Sequence, residues 1–251
     1  EIPLRLVGSE MCIRDRTDST WNPTTGCTKI SEGCRHCYAA TMALRLKAMG
    51  IKKYREGFEL VLHPETLNEP LKWKQSRTIF VNSMSDLFHK DIPFEFIDQV
   101  FEVIKHTPQH RYQVLTKRAD ILKQYFATRR VPTNVWLGVT VENPKVKSRI
   151  DDLRDIPATV KFLSCEPLLE DLGSMDLTNI DWVIVGGESG TNARPMKEEW
   201  VLNIEKQCRI QGSAFFFKQW GTWGADGIKR NKKENGKLLQ GYVKQEYPTF
   251  V

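Results

Sequence analysis

The feature that most narrows the folds open to this chain is a regular alternation that begins near residue 78. Six short runs rich in β-branched and aromatic residues follow one another: TIFVNS (78–83), YQVLT (112–116), VWLGVTV (135–141), VKFLS (160–164), WVIVGG (182–187) and AFFFKQW (214–220). Most are separated by stretches with helical periodicity. PFEFIDQVFEVIKHT (93–107) puts Pro93 at a helix start and spaces Phe94, Ile97, Val100, Phe101 and Ile104 along one face. RADILKQYFAT (118–128), NPKVKSRIDDLR (143–154) and KEEWVLNIEKQCRIQG (197–212) read the same way, the last closing on Gly212 as a C-terminal cap. The link from VKFLS to WVIVGG is less plainly helical. Strands alternating with helices imply a parallel sheet, and runs apolar on both faces imply strands buried on both sides. The expected fold is α/β, a full or partial (β/α) barrel, with a doubly wound open parallel sheet as the alternative.

One stretch lies outside this reading. Residues 5–16, RLVGSEMCIRDR, read as a translated sequencing-adapter read-through, so residues 1–16 are expected to be an artefact and the native chain to enter near Thr17. The expected organisation is a barrel domain over 17–221, with the cysteine-rich loop near its start, and an irregular basic appendage over 222–251. Setting Cys12 aside leaves five cysteines, an odd number with two far from the rest. That argues against a disulfide framework and favours a reducing cytoplasm. No run approaches the length of a membrane span. The net charge of +6 is concentrated in RLKAMGIKKYREG (45–57) and GIKRNKKENGK (227–237). Such a balance favours a polyanionic partner, a nucleotide or nucleic acid, although solvated surface faces account for a surplus this small equally well.

Polar residues gather at the carboxyl ends of the apolar runs. They are Asn82, Ser83, Ser85 and Asp86; Thr116, Lys117 and Arg118; Thr140, Glu142 and Asn143; Ser164, Cys165 and Glu166; Glu188 and Ser189; and Lys218, Gln219 and Trp220. In a (β/α) barrel this rim is where an active site forms. Helix N-caps also take Ser, Asp and Asn at such places, a role that does not suit Lys117, Glu142, Glu166, Glu188 or Lys218. Lys117 and Lys218, with Arg118 and Arg194, could make an anion site. Asp86 and His89 in SDLFH form either an acid–base pair or a loop hydrogen bond. Trp220 and Trp223 could stack on a base or pack a core. GGESG lacks the spacing of a dinucleotide fingerprint and stands too late in the sheet for one.

The sharpest motif is GCTKISEGCRHCYA, with Cys27, Cys34 and Cys37 in the spacing Cys-x6-Cys-x2-Cys. Thiolates favour zinc, copper(I) or iron–sulfur clusters. A structural zinc site wants a fourth ligand, and so does an ordinary four-thiolate cluster. His36 is constrained by its cysteine neighbours, and Cys165 or His89 could serve only through the fold. A [4Fe–4S] cluster held by three cysteines escapes the shortage when S-adenosylmethionine takes the fourth iron. Trp21 and Tyr38 bracket the loop and are expected to pack over such a centre.

This arrangement resembles the radical-SAM superfamily, whose usual signature is Cys-x3-Cys-x-aromatic-Cys. Cys34-Arg35-His36-Cys37 matches its second half with His36 in the aromatic position, while Cys27 departs by three extra residues. The superfamily's Gly-Gly-Glu motif lies near the second strand, so its role does not transfer to GGES at 186–189. TWNPTTGCTKISEGCRHCYA, FVNSMSDLFH, LGVTVEN, SCEPLL, WVIVGGESG..ARPM and FFFKQWG, in this order, also resemble a phage-associated family, gene product 37 / gene product 68, of unknown function. Together these resemblances imply a barrel of radical-SAM type and an enzyme that generates a 5′-deoxyadenosyl radical for hydrogen abstraction. Cys27, Cys34 and Cys37 would hold the metal. His36, Tyr38, Asn82, Lys117, Glu142 and Lys218 would hold the cofactor, and Glu166, Glu188 and Asp86 would act on the substrate. An external electron donor is implied. The alternatives are a zinc-stabilised nucleic-acid-binding module and an iron–sulfur protein without S-adenosylmethionine chemistry.

Overall fold

The computed structural model describes residues 17–249; the adapter-like stretch lies outside the described residues. The strands are β1 (Ser19–Trp21), β2 (Thr24–Thr25), β3 (Val61–Leu62), β4 (Thr78–Val81), β5 (Arg111–Thr116), β6 (Val135–Thr140), β7 (Val160–Cys165), β8 (Trp182–Gly186), β9 (Ala214–Gln219), β10 (Leu238–Leu239) and β11 (Tyr242–Val243). The helices are α1 (Tyr38–Ala48), α2 (Phe94–Lys105), α3 (Ala119–Phe126), α4 (Ser148–Arg154), α5 (Glu198–Gln211) and α6 (Lys232–Asn235).

Seven strands form one parallel sheet in the order β1-β4-β5-β6-β7-β8-β9. The order never reverses. A doubly wound sheet has a reversal, the switch point where its ligands bind, so that alternative is excluded. β1 and β9 are not paired with each other, and the sheet is that of a partial (β/α) barrel. All six apolar runs are strands of this sheet.

Contacts divide the chain into two compact units. The first comprises the chain through Thr28, Cys37–Val114 and Pro132–Trp136; the second comprises Lys29–His36, Leu115–Val131 and the chain from Leu137 onward.

In the first unit α2 starts after Pro93 and buries Phe96, Ile97, Val100, Phe101 and Ile104. Each such burial stabilises by about 1.5–3 kcal/mol. Phe94, expected on this face, is the helix's first residue and is only half-buried, and Phe96 takes its place one turn before Val100. α1 seats Ala39, Ala43 and Leu46 against Tyr54 and Met84.

In the second unit Phe162 lies over Gly138, where a Cβ would come within 2.4 Å of its ring. Trp182 contacts Phe162 and packs edge-on against Phe216. α5 ends at Gly212 in the left-handed region (φ 80°), as the cap requires. The link between β7 and β8 contains no helix. Its backbone groups are instead satisfied by two glutamines one turn apart on α5: Met175 N–H donates to Gln207 Oε1 (2.7 Å) and Leu177 N–H to Gln211 Oε1 (2.8 Å). The same amides donate to Gly173 O and Met175 O. Beyond Gly221 the chain runs along β9: Phe217 N–H donates to Lys244 O (2.7 Å), Glu246 N–H to Phe215 O (2.9 Å), and Phe216 bridges Gln245. No helix among the described residues is long and apolar enough to cross a membrane.

Candidate functional site

The cysteine loop follows β1 and leads into α1, a strand-to-helix connection at the carboxyl side of the sheet's first strand. In the first unit Gly26 shapes its entry. Gly26 has φ 80°, and a Cβ there would lie 1.9 Å from the Glu59 carbonyl oxygen, so only glycine fits. Its N–H donates to Met84 O (3.0 Å) and its carbonyl accepts from Ser85 Oγ (2.6 Å). Cys27 N–H donates to Phe58 O (3.2 Å). Asp91 N–H donates to His89 Nδ1 (3.2 Å), and His89 Nε2 lies 2.8 Å from Thr28 Oγ1. Cys37 is the N-cap of α1.

The other sequence-predicted residues of this unit hold backbone. Asn82 sits at φ 59°, with its amide bonded to Thr24 N–H (3.3 Å) and Thr24 Oγ1 (2.9 Å). Asp86 Oδ1 accepts from Phe88 N–H (3.0 Å), and its carbonyl accepts from His89 N–H (3.1 Å). Asp86 and His89 are thus joined through a turn. The Tyr38 hydroxyl donates to Ser83 O. Trp21 is fully buried, its indole N–H on Thr66 O (2.9 Å), while Tyr38 is half exposed.

In the second unit the strand-end carboxylates each meet a cation. After β6, Glu142 is wholly buried and its Oε2 accepts from Arg149 Nη1 (2.9 Å). After β7, Glu166 pairs with Lys218 of β9 (2.8 Å) and accepts from Ser164 Oγ (3.2 Å). After β8, Glu188 takes a fork from Arg194, Nε to Oε2 at 2.9 Å and Nη2 to Oε1 at 2.6 Å, with Arg194 N–H also on Oε2. Pairing is what makes a buried carboxylate tolerable. Burial pushes the Glu188 carboxyl up, but Arg194, with His36 alongside, outweighs it and holds the group below its ordinary value. Lys117 Nζ donates to Thr140 Oγ1 (3.3 Å).

The middle of the cysteine loop also belongs to this unit. Glu32–Cys34 form one 3-10 turn, and Gly33 N–H donates to Glu142 Oε1 (3.2 Å). Arg194 Nη2 donates to Glu32 O (3.0 Å). His36 Nδ1 lies 3.3 Å from Glu188 Oε2, outside hydrogen-bond geometry. Sequence reasoning missed Arg149 and Gly33 altogether and weighted Arg194 too lightly. The six-residue step from Glu188 to Arg194 was the only signal available for that pair.

Cys27, Cys34 and Cys37 form no disulfide and are partly accessible. Among the described residues, no three His, Cys, Asp or Glu side chains close up around a metal position. The fit to an iron–sulfur or zinc centre is one of donor chemistry: three thiols outside any disulfide on one loop. Cys165 and Cys208 are wholly buried, and burial pushes Cys165 well up and Cys208 to about 12. They are small apolar core residues rather than ligands. A groove of about 460 Å³ in the first unit, lined by Pro64, Leu67, Leu71, Val103 and His106, contains none of the predicted site residues.

The chain belongs to the family described as "Protein of unknown function (DUF5131)", whose profile matches residues 13–248. No curated protein matches it. Three solved structures are similar. Spore photoproduct lyase complexed with dinucleoside spore photoproduct is 13% identical, with a TM-score of 0.43 over 74% of this chain and 59% of that chain. A cysteine-to-alanine mutant with the same ligand is 14% identical, TM-score 0.40, over 73% and 58%. A double mutant with bound AdoMet and dinucleoside spore photoproduct is 13% identical, TM-score 0.41, over 75% and 60%. The chain thus spans less than two thirds of the length of these proteins.

Proposed function

We propose that this member of a family of unknown function is a radical S-adenosylmethionine enzyme. The observation that carries the reading is the loop bearing Cys27, Cys34 and Cys37: three thiols outside any disulfide between the first strand of an unreversed parallel sheet and its first long helix. Three thiolates suit a cluster whose remaining iron binds something other than protein. A [4Fe–4S] cluster with S-adenosylmethionine supplies one-electron cleavage of the sulfonium and hydrogen abstraction from a substrate.

The protein's own part is to bind and orient. Lys117 follows β5, Glu166 follows β7 and Lys218 lies near the end of β9, at the carboxyl ends where (β/α) sheets hold ligands. In this reading they meet the polar groups of cofactor and substrate, Lys218 and Lys117 as donors and Glu166 as acceptor. A nucleotide or nucleic-acid substrate, a phage or mobile-element source and an external electron donor complete the proposal. The basic balance supports the first and the motif resemblance the second. A cytoplasmic setting accords with five free cysteines.

The test is anaerobic reconstitution with iron and sulfide, then dithionite and S-adenosylmethionine, read by visible and EPR spectra and a 5′-deoxyadenosine assay. The expected result is a brown protein whose reduced EPR signal shifts with S-adenosylmethionine and whose 5′-deoxyadenosine formation disappears in Cys27→Ala. A colourless protein carrying one zinc per chain would reject the enzyme and favour a zinc-stabilised nucleic-acid-binding module. A brown protein that leaves S-adenosylmethionine intact would identify an iron–sulfur protein of another kind.

A further inference from the structure

The turn Glu32–Cys34 has little of its own to hold its shape: Cys34 N–H donates to Ser31 O (3.0 Å), Arg35 N–H donates to Glu32 O (3.1 Å), and Ser31 Oγ lies 3.8 Å from Cys34 Sγ. It is three residues long, contains Gly33, buries none of its side chains, and its N-cap Ser31 makes no side-chain cap. Short 3-10 turns of this sort have poor internal hydrogen bonds, and the first N–H groups of any helical turn lack partners within it. Two groups far away in sequence make up the deficit. Glu142 Oε1 accepts from Gly33 N–H at 3.2 Å. Arg194 Nη2 donates to Glu32 O at 3.0 Å, and Arg194 Nη1 lies 3.5 Å from the Glu32 carboxylate.

The polarity is the favourable one for a helical turn, with a carboxylate on its N–H groups and a guanidinium on its carbonyl. Both groups are themselves fixed. Glu142 is fully buried on Arg149, and Arg194 is forked onto Glu188, whose side chain is 6% exposed. A Cβ on Gly33 would stand 3.0 Å from the Glu142 carboxyl carbon and oxygen, so the approach depends on that glycine as well.

We infer that Glu142 and Arg194 form a clamp that sets the position of Cys34, and that Glu142 and Glu188 act on the turn and its clamp rather than on a substrate. They are positioning residues. The inference deepens the proposed function in treating Cys34 as a ligand, but the clamp is a property of the metal-free chain and is tested there.

The experiment measures the rate of iodoacetamide alkylation at each cysteine of the metal-free, fully reduced protein by mass spectrometry. The variants are Glu142→Ala, Arg194→Met and Gly33→Ala. A hydrogen bond to a charged group is strong enough that losing one should speed Cys34 alkylation by about tenfold or more. Cys165 and Cys208, both 0% exposed, should stay unlabelled in every variant and report global opening. Arg194→Lys keeps a charge without the fork and should fall between parent and Arg194→Met.

Glu142→Ala leaves Arg149 without its partner, and should it fail to fold, Gly33→Ala and Arg194→Met decide the matter. Cys34 rates within about twofold of the parent in those two variants would overturn the clamp. So would labelling of Cys165 and Cys208 in step with Cys34, which would show that the whole unit opens rather than the turn. With no metal present, the two readings fail separately. A colourless reconstituted protein removes the radical chemistry and leaves the clamp, whereas unchanged Cys34 rates remove the clamp and leave the chemistry open to its own test.

Discussion

The strand ends of the first unit and those of the second are held by different physics. In the first, Asn82, Asp86 and Tyr38 make hydrogen bonds to nearby backbone and hydroxyl groups, and the chain turns through left-handed positions at Gly26 (φ 80°) and Asn82 (φ 59°). In the second, the carboxylates Glu142, Glu166 and Glu188 are paired with Arg149, Lys218 and Arg194. Backbone shape tolerates loss of a single hydrogen bond at modest cost, whereas a buried charge that loses its partner does not. Residues that look alike in sequence, polar groups just past an apolar run, thus differ in what their removal should do.

The largest effect should come from splitting a buried pair. Arg149→Met should destabilise by about 3–5 kcal/mol in chemical denaturation, and adding Glu142→Met should restore part of the loss. A cost below about 1 kcal/mol for the single variant would erase the distinction between the units. Gly26→Ala comes next: a Cβ 1.9 Å from a carbonyl oxygen at a positive φ forces backbone to move, at about 2–4 kcal/mol. Asn82→Ala should cost about 1–2 kcal/mol, and Asn82→Gly less, because glycine relieves the left-handed strain while forfeiting the same side-chain bonds. Tyr38→Phe, at a half-exposed hydroxyl, should cost under about 1 kcal/mol.

Acid sharpens the same comparison. In the first unit, burial and then the Lys53 charge hold His63 below its ordinary 6.5 against the pull of Glu65. The unfolded chain binds the proton more readily, so this contribution is complete above pH 6.5 and is lost as pH falls from there through the lowered folded value. Glu188 in the second unit is held below 4.5, and its contribution is complete above that pH and lost only as pH falls through a value lower still. Melting temperatures from pH 3 to 8 should therefore show a first decline removed by His63→Asn and a later one removed by Glu188→Gln. A single decline common to both variants would contradict the assignment.

How much of this was legible beforehand follows from the range of each interaction. Six strands of the sheet announced themselves because apolar runs are local, and so did α2, α3 and α5. β1 did not, since Ser19-Thr20-Trp21 is too short and too polar to stand out. The β7–β8 link was flagged only as weakly helical. Its real support, Gln207 and Gln211 on α5, lies more than thirty residues away. The cysteine motif and the strand-end rim were readable from spacing alone. Which carboxylate meets which cation was not, because Glu166 and Lys218 stand on different strands and meet only once the sheet has formed. Glu142 read as a cofactor residue and Glu188 as one acting on the substrate, and their contacts with Gly33 and His36 join distant parts of the chain.

The segment around Lys244–Glu246 has a consequence of another kind. By bonding to Phe215 and Phe217 it occupies the outer rim of β9, a strand whose three consecutive phenylalanines would otherwise offer a sticky template to any neighbouring chain. Clipping those residues by protease would therefore show itself in the test tube as haze and self-association.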